Sequence, residues 1–275
     1  MFNLTLRQFH GLPRSDRRAA AQAHRRPRRT DTVTLFARWR ESPPTKVNDV
    51  AVYDERADAW WSDDDPYFTP LRAMVPPRLS FFQLHGIALA GTRVLDVGAG
   101  GGFLSVEMAA RGALVTALDL APRALAAARG EARRRALDLH AVAASGEQLP
   151  CKDASFELVV CTDVLPHVLD KQPLFDELVR VLAPGGKLFV ATMNRTMLAR
   201  LVLITLGEDI LGLIARGTHV VAQFITPDEL AQQMRARGLQ LAMVEGVGPA
   251  GIDRKGFTFG KVPTRAVMYQ ALFTK

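Results

Sequence analysis

Between residues 93 and 193 the chain switches repeatedly between two rhythms of hydrophobic and polar positions. Val94–Val97, Leu114–Leu118, Leu139–Ala143, "FELVVCT" (156–162) and "KLFVATM" (187–193) are short, largely apolar blocks. Each is too short for a helix and lacks a polar side, the pattern of a strand covered on both faces. Between them, helical periodicity predicts helices over Gly102–Arg111, Pro122–Arg135 and Pro173–Leu182. The last is expected to stop at "APGG" (183–186), whose glycines end a helix and lead into the next strand. Such alternation predicts an α/β fold, a parallel sheet with helices on both faces.

The flanks are less regular. "RADAWW" (56–61) reads as the end of a short amphipathic helix and "DDDPYFTP" (63–70) as a loop. "PPRLSFFQLHGIAL" (76–89) opens with prolines suited to a helix start and continues with helical periodicity. After Met193 comes an apolar insert, 196–216, then a helix over Pro227–Arg237, the strand "LQLAMVEGV" (239–247), a Gly-rich loop and a closing strand "RAVMYQALF" (265–273). No internal repeat is visible.

With 275 residues, 48% of them hydrophobic, the chain can bury one sizeable core. Its net charge of +7 first suggests nucleic acid or an anionic membrane as partner. The distribution changes that picture. Residues 1–46 carry eleven Lys/Arg against three Asp/Glu, leaving 24 against 25 in the remainder, so the body offers nucleic acid no basic stripe. The arm 1–46 has too little apolar surface to offset its ordering entropy and is expected to be disordered, with "ESPPTK" (41–46) linking it to a domain over 47–275. Arginine without acid is also the signature of a mitochondrial transit peptide. A solvated basic arm, or residues added by an upstream start codon, are the alternatives. Cys151 and Cys161 have no metal-ligand spacing and form no disulfide framework, which fits a reducing compartment. The longest apolar run, from Met197, is broken by Arg200, Glu208 and Asp209 and is no membrane span.

The candidate chemistry starts at "RVLDVGAGGGFLSVEMAARGALVTALDL" (93–120). A dinucleotide loop needs Gly-x-Gly-x-x-Gly. Here the glycines fall at 98, 100, 101 and 102, and Phe103 occupies the third required position. What remains is a turn without side chains at its apex, where a ligand can approach Gly98 and Gly100 along the main chain. Asp96, two residues before the turn, disfavours a pyrophosphate but suits an ammonium group. Asp119, at the end of the second strand, can accept both hydroxyls of a ribose. A nucleoside with an amino-acid tail and no phosphates satisfies both, and S-adenosylmethionine is such a ligand. The bland alternative is a tight turn with an aspartate capping the next helix.

"VLDVGAGGG" (94–102) resembles the first motif of class I methyltransferases, "ALDLA" (117–121) the acidic end of their second strand, "ASGEQLP" (144–150) the loop along the adenine, and "LAPGGKLFVATMN" (182–194) the fifth-strand entry. "RADAWW", "PLRAMVPPRLSFF" (70–82), "NR" (194–195), "GTHVVAQFITPDEL" (217–230) and "FTFGKVPTRAVMYQALFTK" (257–275) are similar to the ubiquinone-biosynthesis O-methyltransferases, 3-demethylubiquinol 3-O-methyltransferase and 2-polyprenyl-6-hydroxyphenol methylase. The resemblance runs from about residue 48 to the C-terminus. It implies a Rossmann-like class I fold, with a mostly parallel seven-stranded sheet and a C-terminal antiparallel strand. It also implies S-adenosylmethionine contacts at Arg78, Gly98, Asp119 with its neighbour Leu120, Ser145, Gly146 and Glu147 near the adenine, and Thr162 through backbone or packing. For Arg78 the alternative is a surface arginine lying along apolar surface.

In the eukaryotic-type relatives a Glu-x-x-Glu-His motif resembles a divalent-metal site. Here "CTDVLPHV" (161–168) has Pro166 in place of the middle carboxylate, leaving Asp163 and His167 as candidate Mg²⁺ ligands that share a face if the segment is helical. Methyl transfer to a phenol needs the hydroxyl proton removed. His167, assisted by Asp163, and His219 in "GTH" are the candidate bases, each with a local structural role as its alternative. Expected partners are a polyprenyl phenol or catechol, a membrane surface contacted through insert 196–216, and a biosynthetic complex. The insert reads either as a buried core helix or as an interfacial segment admitting a polyprenyl tail, and the second reading is favoured. The expected location is the cytoplasm, peripheral to the inner membrane, or the mitochondrial matrix if the arm is a transit peptide. Methylation of a small phenolic metabolite, and cofactor binding without catalysis, are the rival functions.

Overall fold

The structure, a computed structural model, describes residues 51–275 apart from 64, 66, 211–216 and 254–255. The expectations for arm 1–46 and for the last six residues of the insert fall outside the described residues.

Helix α1 (Ala51–Glu55) and a 3-10 turn (Ala57–Ala59) lead to α2 (Thr69–Ala73) and α3 (Val75–Leu84). The alternating region then supplies β1 (Arg93–Val97), α4 (Phe103–Ala109), β2 (Leu114–Asp119), α5 (Pro122–Arg134), β3 (His140–Ala143), β4 (Phe156–Thr162), α6 (Lys171–Arg180) and β5 (Leu182–Met193). A short α7 (Met197–Ala199) runs into a π-helix (Arg200–Ile210), followed by α8 (Pro227–Arg235), β6 (Gln240–Asp253), β7 (Gly256–Val262) and β8 (Met268–Thr274). Proline stands in the first turn of α2, α3, α5 and α8, where its missing N–H is no loss. Thr226 and Glu229 close α8 with a reciprocal capping box.

The strands form one sheet in the order β3-β2-β1-β4-β5-β8-β6-β7, parallel through β5 and antiparallel beyond it. It has one strand more than expected because β6 does not end at Val247 in a Gly-rich loop. The strand runs on to Asp253 and turns back as β7. Glycine is needed at 246, where a Cβ would lie 1.9 Å from the Thr264 carbonyl oxygen. A second correction concerns "APGG". Helix α6 stops at Arg180, and these four residues bulge out of β5, whose pairing with β4 jumps from Phe156↔Leu182 to Leu158↔Lys187. A proline without N–H and Gly185 at φ 73° take the backbone out of the pleat there.

The period of two along each strand divides the core. Leu95, Val159, Val190 and Tyr269 face α6 and α8, whereas Val94, Val160, Phe189 and Leu272 face α3, α4 and α5. Both faces are therefore covered, as the apolar strands required. From β1 the chain extends to β2 and β3 on one side and to β4 and β5 on the other. This reversal opens a crevice at the carboxyl ends of β1 and β4, the ligand position of open α/β sheets.

The insert divides lengthwise. Ala199 and Leu203 pack on Met74, Met193, Phe224 and Met268, while Met197, Leu198, Leu201, Leu206 and Ile210 remain exposed. It is neither wholly core nor wholly surface. Among the described residues no helix is long and apolar enough to cross a membrane.

Candidate active site

The glycine turn closes over the end of β2. Gly98 N and Ala99 N both donate to the Leu118 carbonyl, at 2.8 and 3.0 Å. Gly98, Gly100 and Gly102 have φ of 74°, 53° and 82°, a conformation that side chains disfavour. Asp119 pins the turn: one carboxylate oxygen accepts from Gly100 N at 2.7 Å, the other from Ala121 N at 2.8 Å. Burial raises its carboxyl above the usual range. Each oxygen retains acceptor capacity beyond its backbone bond.

The apex of the turn is not bare. A Cβ on Gly101 would lie 2.2 Å from the Trp60 ring, and one on Gly100 2.5 Å from it. Gly100 and Gly101 make room for an indole, so the apex of the turn, contrary to expectation, is not free of side chains. Trp60 is seated on Phe68 at 4.1 Å and on Phe103 at 5.6 Å between ring centroids, and Trp61 Nε1 donates to the Gly101 carbonyl at 2.9 Å. Arg72 braces this cover by donating to the Trp60 and Ser62 carbonyls. "RADAWW" thus serves as the lid of the turn, a role its local helical pattern did not disclose.

Beneath the lid lie three charged groups from separate elements. Asp96 of β1 is buried; Ser105 Oγ donates to one of its oxygens at 2.6 Å, and burial pushes its carboxyl up to about 6. Arg78 of α3 is 4% exposed, which rules out a surface arginine, and Nη2 donates to Asp163 in a short ion pair. Asp163 follows β4 in the left-handed conformation, φ 60°, with its own N–H on the Ala191 carbonyl. Among the described residues, Arg78 Nε, Asp96 Oδ1 and Asp163 Oδ1 are buried without a hydrogen-bond partner, as are Trp60 Nε1 and Arg72 Nε in the lid. Buried polar groups are nearly always paired, so a donor and two acceptors left open around the Arg78–Asp163 pair fit a polar ligand.

The neighbouring strand ends provide the rest. Asp119 is opposite Ala143 in the β2–β3 register, and Leu120, beside it, is half exposed. Ser145 Oγ accepts from Glu147 N at 3.1 Å. Gly146 is packed so that a Cβ would lie 2.9 Å from Leu174, and Glu147 points to solvent. Thr162, at the end of β4, is buried.

The segment after Asp163 is a 3-10 turn over Leu165–His167, not the α-helix that would have put Asp163 and His167 on one face. One Asp163 oxygen is committed to Arg78, and the described residues contain no group of three metal-ligating side chains. A guanidinium in contact and so few oxygen donors do not suit magnesium. His167 and His219 do come together, with ring centroids 5.9 Å apart. Burial, and then the neighbouring His219, push His167 down to about 4. His219 is buried, and its Nδ1 lies 2.8 Å from Glu208 Oε1. Glu208 was legible only as a charge interrupting an apolar run.

Known proteins share this domain and its fold. A methyltransferase-domain family model matches residues 95–190. Magnesium protoporphyrin IX methyltransferase from Synechocystis shares the fold. With bound S-adenosylhomocysteine it superposes with a TM-score of 0.55 at 20% identity, over 88% of this chain and 94% of that one. With S-adenosylmethionine the TM-score is 0.56 at 16% identity, over 85% and 100%. Fold and site together define an S-adenosylmethionine-dependent class I methyltransferase. A ubiquinone biosynthesis O-methyltransferase from Idiomarina loihiensis is 39% identical over 203 residues, 72% of this chain and 82% of that protein. Another, from Xanthomonas oryzae pv. oryzae, is 42% identical over 192 residues, covering 70% and 80%. The chain belongs to the ubiquinone biosynthesis O-methyltransferase family.

Proposed function

We propose that this protein transfers a methyl group from S-adenosylmethionine to a phenolic or catechol hydroxyl of a polyprenylated quinone precursor. The observation that carries the reading is the set of unpartnered buried atoms on Arg78, Asp96 and Asp163 in the crevice, with Trp60 Nε1 in the lid. Trp60 Nε1 and Arg78 Nε are donors suited to the carboxylate of the amino-acid tail, and Asp96 and Asp163 offer acceptors to its ammonium group. Asp119 takes the ribose hydroxyls on its remaining lone pairs. Leu120, Ser145, Gly146 and Glu147 border the adenine, with Thr162 packed behind, and Gly98 and Gly100 shape the turn over which the ligand lies. When bound, the cofactor supplies a methyl carbon on a positively charged sulfur, and the C–S electron pair stays with sulfur as the new C–O bond forms. The acceptor oxygen must give up its proton, because a phenol with a pKa near 10 is a weak nucleophile at neutral pH. His167 and His219 are the titratable side chains available to receive it.

The acceptor is assigned as polyprenylated from the names of the relatives and from the exposed apolar row of the insert, Met197, Leu198, Leu201, Leu206 and Ile210. A row of that kind suits the headgroup boundary of a bilayer, giving peripheral attachment where the isoprenoid tail is collected. The test is transfer of a radiolabelled methyl group to demethylubiquinol against soluble catechols. Turnover confined to the prenylated acceptor is expected. Preference for small phenols, or cofactor binding without turnover on either, would overturn the reading.

A further inference from the structure

The Glu208 carboxylate, in the π-helix, is 4% exposed, receives two backbone N–H groups and faces the His219 ring. Oε2 accepts from Gly217 N at 2.8 Å; Oε1 accepts from His219 N at 3.0 Å and lies 2.8 Å from His219 Nδ1. A carboxylate offers acceptors only, so we infer that the ring nitrogen facing it, Nδ1, carries the hydrogen. That leaves His219 Nε2 as a lone-pair acceptor without a hydrogen-bond partner among the described residues, in a ring 5.9 Å from His167. Among the described residues, the titratable groups placed against this ring are Glu208 from the π-helix and His167 from the 3-10 turn, with Asp163 acting on His167 in turn.

We propose that His219 Nε2 is the base that takes the acceptor's proton, and that Glu208 is the positioning residue that fixes its tautomer and offsets the charge it gains. The inference deepens the function proposed above and rests on it. In the step, the O–H bond breaks and a bond to Nε2 forms while the oxygen's pair takes the methyl carbon. The imidazolium then returns its proton to water. A carboxylate behind Nδ1 favours this, since it stabilises the imidazolium without itself being protonated. His167 has no side-chain hydrogen bond among the described residues to orient it, and its low pKa makes it a poor proton acceptor. Its role is to sit beside the acceptor as a neutral ring.

The first test needs no turnover. In ¹⁵N-labelled full-length protein without ligand, ring-nitrogen shifts assigned with His219→Gln should show His219 protonated on Nδ1. That preference should be lost in Glu208→Leu, which leaves Nδ1 no acceptor. The second test is kinetic. Glu208→Gln and His219→Gln should each lower kcat about 100-fold or more, the typical worth of a positioned base, with acceptor KM and cofactor affinity unchanged. Their rates should keep rising with pH toward the phenol pKa, where the unaltered enzyme has levelled off. Glu208→Asp should recover part of the loss, and the double variant should lose little more than either single one. A proton on Nε2 in the unaltered protein, or an unchanged kcat and pH profile in Glu208→Gln, overturns the proposal. Absence of methyl transfer by the unaltered protein overturns instead the function on which it rests.

Discussion

Adding one methyl group to the glycine turn isolates the role of its lid. Gly101 lies outside the left-handed region, so Gly101→Ala adds no backbone strain, and its cost comes from contact with Trp60. The new Cβ would start 2.2 Å from the indole, more than 1 Å inside ordinary contact. Trp60 cannot retreat freely, because its far side rests on the fully buried Phe68 at 4.1 Å. Overpacking against so rigid a neighbour should cost about 2–3 kcal/mol, the upper part of the usual range. For a domain of this size that corresponds to a fall in Tm of about 5–10 °C. The assay is a double-mutant cycle in ligand-free protein, by urea and thermal unfolding. Trp60→Ala alone should cost about 3–5 kcal/mol, and adding Gly101→Ala to it should cost almost nothing further. If Gly101→Ala is equally destabilising with and without the indole, the glycine answers to something other than Trp60.

Removing Arg78 strands the Asp163 carboxylate. Arg78→Met should cost about 3–5 kcal/mol in urea unfolding, most of it regained with Asp163→Asn, which tolerates the left-handed backbone. His167 is held near 4 in the fold and near 6.5 in the unfolded chain, so between these values the unfolded state binds more protons. Stability from this residue therefore falls as pH drops through 6.5 and levels off below 4, by about 3 kcal/mol in all. Melting curves of His167→Asn should be flatter than wild type over that range. Asp96 acts oppositely on folding, its carboxyl being raised to about 6. If its charged form holds the cofactor's ammonium group, calorimetric affinity for S-adenosylmethionine should weaken about tenfold per pH unit below 6, and a pH-independent affinity would remove that contact. On the insert, Leu198→Glu and Leu201→Glu should each reduce retention on anionic liposomes about tenfold or more, given the worth of burying a leucine, while cofactor affinity stays unchanged.

Much of this was legible in local pattern. The five parallel strands follow from apolar blocks too short for helices, and the helix starts follow from proline and capping residues. Asp96, Asp119 and the glycines stand within one continuous segment, so their partnership shows in linear order. The bulge at "APGG" and the strand β7 were not legible. Each depends on what the neighbouring strand offers for pairing, and glycine and proline mark an interruption without specifying its geometry. Arg78, for the same reason, could be read as surface or as contact until its burial against Asp163 was visible.

The chain by itself determined the alternation of buried strands and amphipathic helices, and with it an α/β sheet carrying an acidic, glycine-rich turn at its switch point. Hydrophobic period and backbone stereochemistry act over a few residues, and that is the range a sequence exposes. Only the tertiary structure decided that Trp60 fills the space above Gly101, that Arg78 pairs with Asp163, and that Glu208 stands behind His219. Contacts across 41, 85 and 11 residues of chain have no local signature. They are set by packing, burial and the need of each buried charge for a partner, which exist only once the sheet has brought the ends of its strands together.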